Sequence, residues 1–311
     1  MANVRHATGA GLTRRAALGA TPGLLLAAAA AAAPEARAVW HDARRARDIP
    51  VLIREPAGDG PAPTVLISHG LGGSRDGLGY LGRALAEAGF LAIHLQHPGT
   101  DDSLWRAGDR TAFAAAALDV GRAVDRLQDV LFALDRLPPR ADPQRLSIAG
   151  HSYGAWVVQH MLGQRIPGGA RGLPLPERRL KAGVALSPIV ARGLPPRLAY
   201  GGYAAPMLFV TGTADDGWLE GVRAVQRREP FEQSEVPGAL AVLDGAVHAS
   251  FADEPAAGAR WSDPTYHERA AGLTVAFLRA TLEGDARAIR FLRAAGAGLL
   301  RPGDELLTRG L

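Results

Sequence analysis

Arg145-Leu-Ser-Ile-Ala149, Gly150-His151-Ser152-Tyr153-Gly154 and Ala155-Trp-Val-Val-Gln-His-Met-Leu162 follow one another without a break, and their reading decides the fold. The first block is a short apolar run with the character of a buried strand. The third reads as the opening turns of a helix. Between them lies a G-x-S-x-G pentapeptide. A turn this tight forces its central residue into strained backbone geometry, and small residues two positions either side keep strand and helix from colliding. Ser152 is then held out above a sheet, at a helix N-terminus whose dipole favours negative charge. The pentapeptide alone is a weak signal in a chain with 38 glycines. The strand before it and the helix after it strengthen the reading.

Outward from this turn, apolar runs alternate with amphipathic stretches. The runs at 49–54, 64–68, 90–95, 182–186, 207–210 and 240–243 read as strands. Most are apolar on successive residues, the mark of strands buried on both faces. Helices are expected at 78–88, closed by Gly89, at 111–137, stopped by Pro138-Pro139, and at 266–283 and 286–300. The expected fold class is α/β, with a mostly parallel central sheet and helices on both faces. Two segments, 99–109 and 165–179, read as insertions at or beside the C-terminal edge of the sheet, where such proteins bind ligands.

Serine acyl transfer needs a base for the hydroxyl proton and a carboxylate to orient that base. His248 follows the 240–243 strand, and Asp215, in Thr211-Gly-Thr-Ala-Asp215, follows the 207–210 strand. The order Ser152, Asp215, His248 places each at the end of a strand, on one edge. The Gly-x-x-Asp spacing favours Asp215 over its neighbour Asp216. Ser68-His69-Gly70-Leu71-Gly72-Gly73 follows an earlier strand, and its glycines allow a loop whose amides face a developing oxyanion. The backbone N–H groups of Leu71 and Tyr153 are the expected donors.

Other residues have weaker claims. His69 and His151 read as hydrogen bonders that hold the loops. His94 and His97 have H-x-x-H spacing, but strand alternation separates them and argues against a metal site. His97 is expected near the mouth of the site. Trp218 follows the Asp215 loop and has a claim to the cleft, whereas Trp156 reads as packing.

These motifs resemble the dienelactone hydrolase-like and platelet-activating-factor-acetylhydrolase-like branch of the α/β-hydrolases. The residues that carry the resemblance are Ser68 to Ser74, His97-Pro-Gly-Thr-Asp101, Gly150 to Gly154, Ala185-Leu-Ser-Pro188, Gly212 to Asp215 and His248, spread over roughly residues 45–285. The resemblance implies an α/β-hydrolase fold and ester hydrolysis with no metal or organic cofactor. Dienelactone hydrolases carry a Cys nucleophile where this chain has Ser152, which favours a serine esterase acting on a small-molecule or polymeric ester. An acyltransferase or peptidase using the same three residues, and a non-catalytic binding protein on the same fold, are the alternatives.

Composition bounds the remainder. There is no cysteine, which excludes disulfides, Cys-ligated zinc and a lipoprotein anchor. Thr13-Arg14-Arg15 precedes an alanine-rich run that ends at Ala36-Arg37-Ala38, so residues 1–38 read as a twin-arginine export signal. Residues 39–311 then form one domain, periplasmic or secreted, with no stable membrane anchor. The net charge is +4, of which the first 38 residues contribute +3 (four Arg, one Glu), leaving about +1. With scattered arginines and no dense basic face, nucleic-acid binding is not expected.

Overall fold

The computed structural model describes residues 34–106, 108, 110–169, 172–217, 220–253 and 263–311. Residues 1–33, which hold the twin-arginine motif, and Trp218 lie outside the described residues.

Nine strands form one sheet: β1 (Glu35–Asp42), β2 (Arg47–Arg54), β3 (Ala62–Ser68), β4 (Leu91–Leu95), β5 (Ala141–His151), β6 (Leu180–Leu186), β7 (Met207–Ala214), β8 (Gly238–Val247) and β9 (Glu305–Arg309). The helices are α1 (Gly79–Glu87), α2 (Ser103–Arg106), α3 (Arg110–Leu118), α4 (Val120–Asp135), α5 (Tyr153–Met161), α6 (Pro196–Tyr200), α7 (Glu229–Glu232), α8 (Pro264–Leu282) and α9 (Ala286–Arg293). The spatial order of the strands is β1-β2-β4-β3-β5-β6-β7-β8-β9. The inner six, β4 to β8, are parallel. β1, β2 and β9 run antiparallel to their neighbours.

The apolar runs explain the layers. Every residue of β3 and β4 is buried. Along β7, Met207 and Phe209 face one core with α4 and α5, while Leu208 and Val210 face the other with α8 and α9. β8 alternates in the same way, so helices cover both faces of the sheet.

Chain order places the site. β3 passes through α1 to β4 on one side, and β5 then returns to pair with β3 on the other. The loops leaving β3 and β5 therefore diverge, and this switch point is where sheets of this kind open a crevice.

Two expectations are corrected. The single helix at 111–137 is two helices, α3 and α4. Asp119 breaks it by accepting hydrogen bonds from the N–H groups of Gly121 and Arg122, an N-cap in the middle of the pattern. The final helix stops at Arg293 and not near 300, and the chain returns as β9. The described residues of the 165–179 segment, 165–169 and 172–179, lie between the end of α5 and the start of β6. Within it Ile166, Leu173 and Leu175 pack on the core, and Pro167 stands against Gly193 in the loop after β6.

Ala36-Arg37-Ala38 lies within β1, paired with Ile53, Leu52 and Val51. Among the described residues no helix is long and apolar enough to cross a membrane.

Candidate active site

Ser152 sits between β5 and α5 with φ 55° and ψ −115°. For a residue with a Cβ this conformation costs about 1–3 kcal/mol and persists only where the surroundings enforce it. Two hydrogen bonds do so: Ser152 N–H donates to Leu186 O, and Trp156 N–H donates to Ser152 O, both at 3.0 Å. The glycines either side are steric requirements. A Cβ on Gly150 would lie 2.5 Å from the Gly154 carbonyl atoms. One on Gly154 would overlap the Ser68 carbonyl oxygen and lie 2.7 Å from its carbon. These neighbours are backbone and cannot swing aside. Gly154→Ala is therefore expected to destabilise the protein by about 3 kcal/mol, the upper part of the overpacking range. A urea midpoint equal to wild type would contradict this close approach.

The strand ends bring Ser152, His248 and Asp215 together. Ser152 Oγ lies 2.8 Å from His248 Nε2, and His248 Nδ1 lies 2.8 Å from Asp215 Oδ1. The tautomer with hydrogen on Nδ1 donates to Asp215 and accepts from the serine hydroxyl. Asp215 is fully buried, and its other oxygen accepts from Thr211 Oγ1 at 2.8 Å. Burial pushes its carboxyl up, but the His248 hydrogen bond, the Arg227 charge and the Thr211 hydroxyl outweigh that and hold it below the ordinary carboxylate value. Asp216 points elsewhere and caps the turn at Ala224–Arg228 through the Ala224 N–H.

Arg227, unmarked by any sequence motif, is fully buried against this group. Its Nε lies 3.0 Å from Asp215 Oδ1, and Nη2 donates to Glu220 at 2.8 Å. Nη2 also stands 3.3 Å from His248 Nδ1. Both are donors in the serving tautomer, so this approach is a charge placed beside the ring and not a bond.

No protein-family model and no curated protein sequence matches the chain.

The β3 loop flanks Ser152, since a Cβ on Gly70 would lie 3.6 Å from Ser152 Cβ. Tyr153 is the first residue of α5, and an N–H there has no partner within the helix. Among the described residues no acceptor is paired with the Leu71 N–H. Leu71 packs against a small cluster of Leu104, Phe113 and Ala116 from α2 and α3. From the 99–109 segment, Leu104 thus lies on this loop, and the Trp105 indole stands against Gly72.

The flanking histidines hold loops. His151 Nε2 donates to His248 O at 3.0 Å. His69 Nδ1 donates to Gly70 O at 2.6 Å, and its Nε2 accepts from His97 N–H. His97 departs from expectation: it is fully buried beneath the loop and not at a mouth. Its Nε2 accepts from Ser68 Oγ at 2.9 Å, and its Nδ1 donates to Asp129 at 3.0 Å. His94 Nε2 meets Arg54, and its Nδ1 donates to Gly77 O. Among the described residues no group of three or more acidic or histidine side chains could hold a metal ion. A cleft of about 680 Å³, lined by Arg197, Tyr200 and Tyr203 among others, touches none of Ser152, Asp215 or His248.

Burial holds several of these rings neutral. It pushes His94 and His151 down to about 3 and His160 to about 4, and it lowers His69 and His97 as well. In the unfolded chain each ring takes a proton near pH 6.5. Between that pH and the folded values the unfolded state binds more protons, so stability falls as pH drops. Each ring contributes up to about 1.4 kcal/mol per pH unit. The melting temperature is expected to fall steeply from pH 6.5 towards pH 4. A midpoint flat across that window would contradict the neutral buried rings.

Proposed function

We propose that the protein is a serine hydrolase of carboxylic esters, built on the α/β-hydrolase fold. The observation that carries this reading is the relay of two 2.8 Å contacts from a strained Ser152 through His248 to buried Asp215.

Ser152 Oγ attacks the ester carbonyl while its proton passes to His248 Nε2. Asp215 stays ionised and stabilises the imidazolium through Nδ1. The new oxyanion is held by the Leu71 and Tyr153 N–H groups. The intermediate collapses, the alkoxide leaves, and His248 returns the proton to it as the alcohol. Water then repeats the sequence on the acyl-enzyme, frees the acid and restores Ser152. A small-molecule or polymeric ester fits this chemistry. The twin-arginine reading of residues 1–38 puts the reaction outside the cytoplasm.

The test is product release from p-nitrophenyl esters of two to twelve acyl carbons, quenched within the first turnovers and analysed by intact mass. The reading predicts nitrophenol release with an acyl adduct mapping to Ser152. Transfer of most of the acyl group to added methanol at low concentration would favour an acyltransferase. Hydrolysis that survives Ser152→Ala would refute the assignment.

A further inference from the structure

Arg126 lies on α4, well away from any motif, and is fully buried. A leucine there would fill the same space without the cost of desolvating a cation. Its partners explain the choice. Nε donates to Thr100 Oγ1 at 2.8 Å, Nη1 to His69 O at 2.7 Å, and Nη2 to Gly70 O at 3.1 Å and Thr100 O at 3.2 Å. Cζ lies 4.3 Å from the centre of the Tyr153 ring.

Gly70 C=O and Leu71 N–H are the two ends of one peptide unit. That unit is planar and trans, so fixing the carbonyl direction fixes the N–H in the opposite direction. Arg126 and His69 both donate to that carbonyl, at 3.1 and 2.6 Å. Donors on a carbonyl also polarise the amide and strengthen its N–H as a donor. On the other side the same guanidinium lies over the ring of Tyr153, whose backbone N–H is the second donor. One buried cation therefore touches both halves of the oxyanion site from behind.

We infer that Arg126 is a positioning residue for ester hydrolysis: it aims and polarises the Leu71 N–H and seats Tyr153, so that both amides meet the oxyanion. The inference rests on Ser152 being the acylated nucleophile. Arg126 touches neither substrate nor reacting atoms. Its contribution appears where negative charge develops on the carbonyl oxygen and is small in the ground state.

Arg126→Lys and Arg126→Met test this with a p-nitrophenyl ester and an alkyl trifluoromethyl ketone, which adds Ser152 to form a hemiketal oxyanion. Folding is checked by near-ultraviolet circular dichroism. The expected result is a fall of about 100-fold in kcat for Arg126→Met, comparable to losing one oxyanion donor, with KM within about threefold. The ketone inhibition constant rises by the same factor as kcat/KM falls. Lysine cannot span three carbonyls and a hydroxyl, so Arg126→Lys falls in between. Unchanged kcat, or ketone and substrate binding weakened equally, would overturn the inference and leave Arg126 a packing residue. If neither variant folds, Thr100→Val removes the hydroxyl that receives Nε, along with its own bond to His97 O. A several-fold fall in kcat matched by weaker ketone binding then supports the inference, and wild-type behaviour overturns it. A wild-type protein that neither hydrolyses ester nor binds the ketone at Ser152 overturns the hydrolase reading along with this one.

Discussion

His248→Ala is expected to lower kcat/KM for ester hydrolysis by about 10⁶-fold, a loss as large as that for removing the nucleophile itself. Among the described residues the serine hydroxyl has one base within reach, His248 Nε2 at 2.8 Å. His151 is the neighbouring imidazole, with ring centres 5.0 Å apart, but its Nε2 is committed to His248 O. Burial is the largest cause that pushes His151 down to about 3, and it persists in the variant, so His151 is a poor proton acceptor. It therefore does not substitute. Steady-state kinetics of the purified variant measures this. Activity within tenfold of wild type would mean that another group takes the proton.

The second large effect separates two adjacent carboxylates. Asp215→Asn is expected to lower kcat by about 10⁴-fold, and Asp216→Asn by less than about threefold. An amide in place of the Asp215 carboxylate would no longer require hydrogen on His248 Nδ1. It would also leave Arg227 beside the ring without the carboxylate that separates their charges, since Nη2 stands 3.3 Å from Nδ1. The imidazolium formed during attack would then meet a cation at close range. Asp216 supplies a cap to the Ala224 N–H, a bond that an asparagine side chain also accepts. A larger loss at position 216 would reverse the assignment.

The inner sheet was legible because β3 to β8 carry successive apolar residues, the pattern of strands with two covered faces. The edges were not. β1 alternates exposed and buried residues only weakly and spells Glu-Ala-Arg-Ala-Val-Trp-His-Asp, which reads as polar chain. β9 is five residues long and nowhere fully buried. Ser152, Asp215 and His248 could be placed because each follows a recognisable strand. What holds them could not. Arg227 beside Asp215, and Asp129, which anchors His97 beneath the β3 loop, have partners distant in sequence, and a charged residue in an amphipathic stretch reads as solvated. Arg126 did leave a trace. It lies four residues before Val130 and seven before Ala133, on the buried stripe of α4, where a surface arginine would not fall.

The proposed hydrolysis depends on Ser152 being an activated nucleophile. Intact mass after exposure to an alkyl fluorophosphonate, on wild type and Ser152→Ala, tests it most directly. An activated Ser152 yields one phosphonyl adduct on the wild-type chain, at Ser152, and none on the variant. A folded wild-type protein that takes no adduct, or a variant that takes the same one, would contradict it.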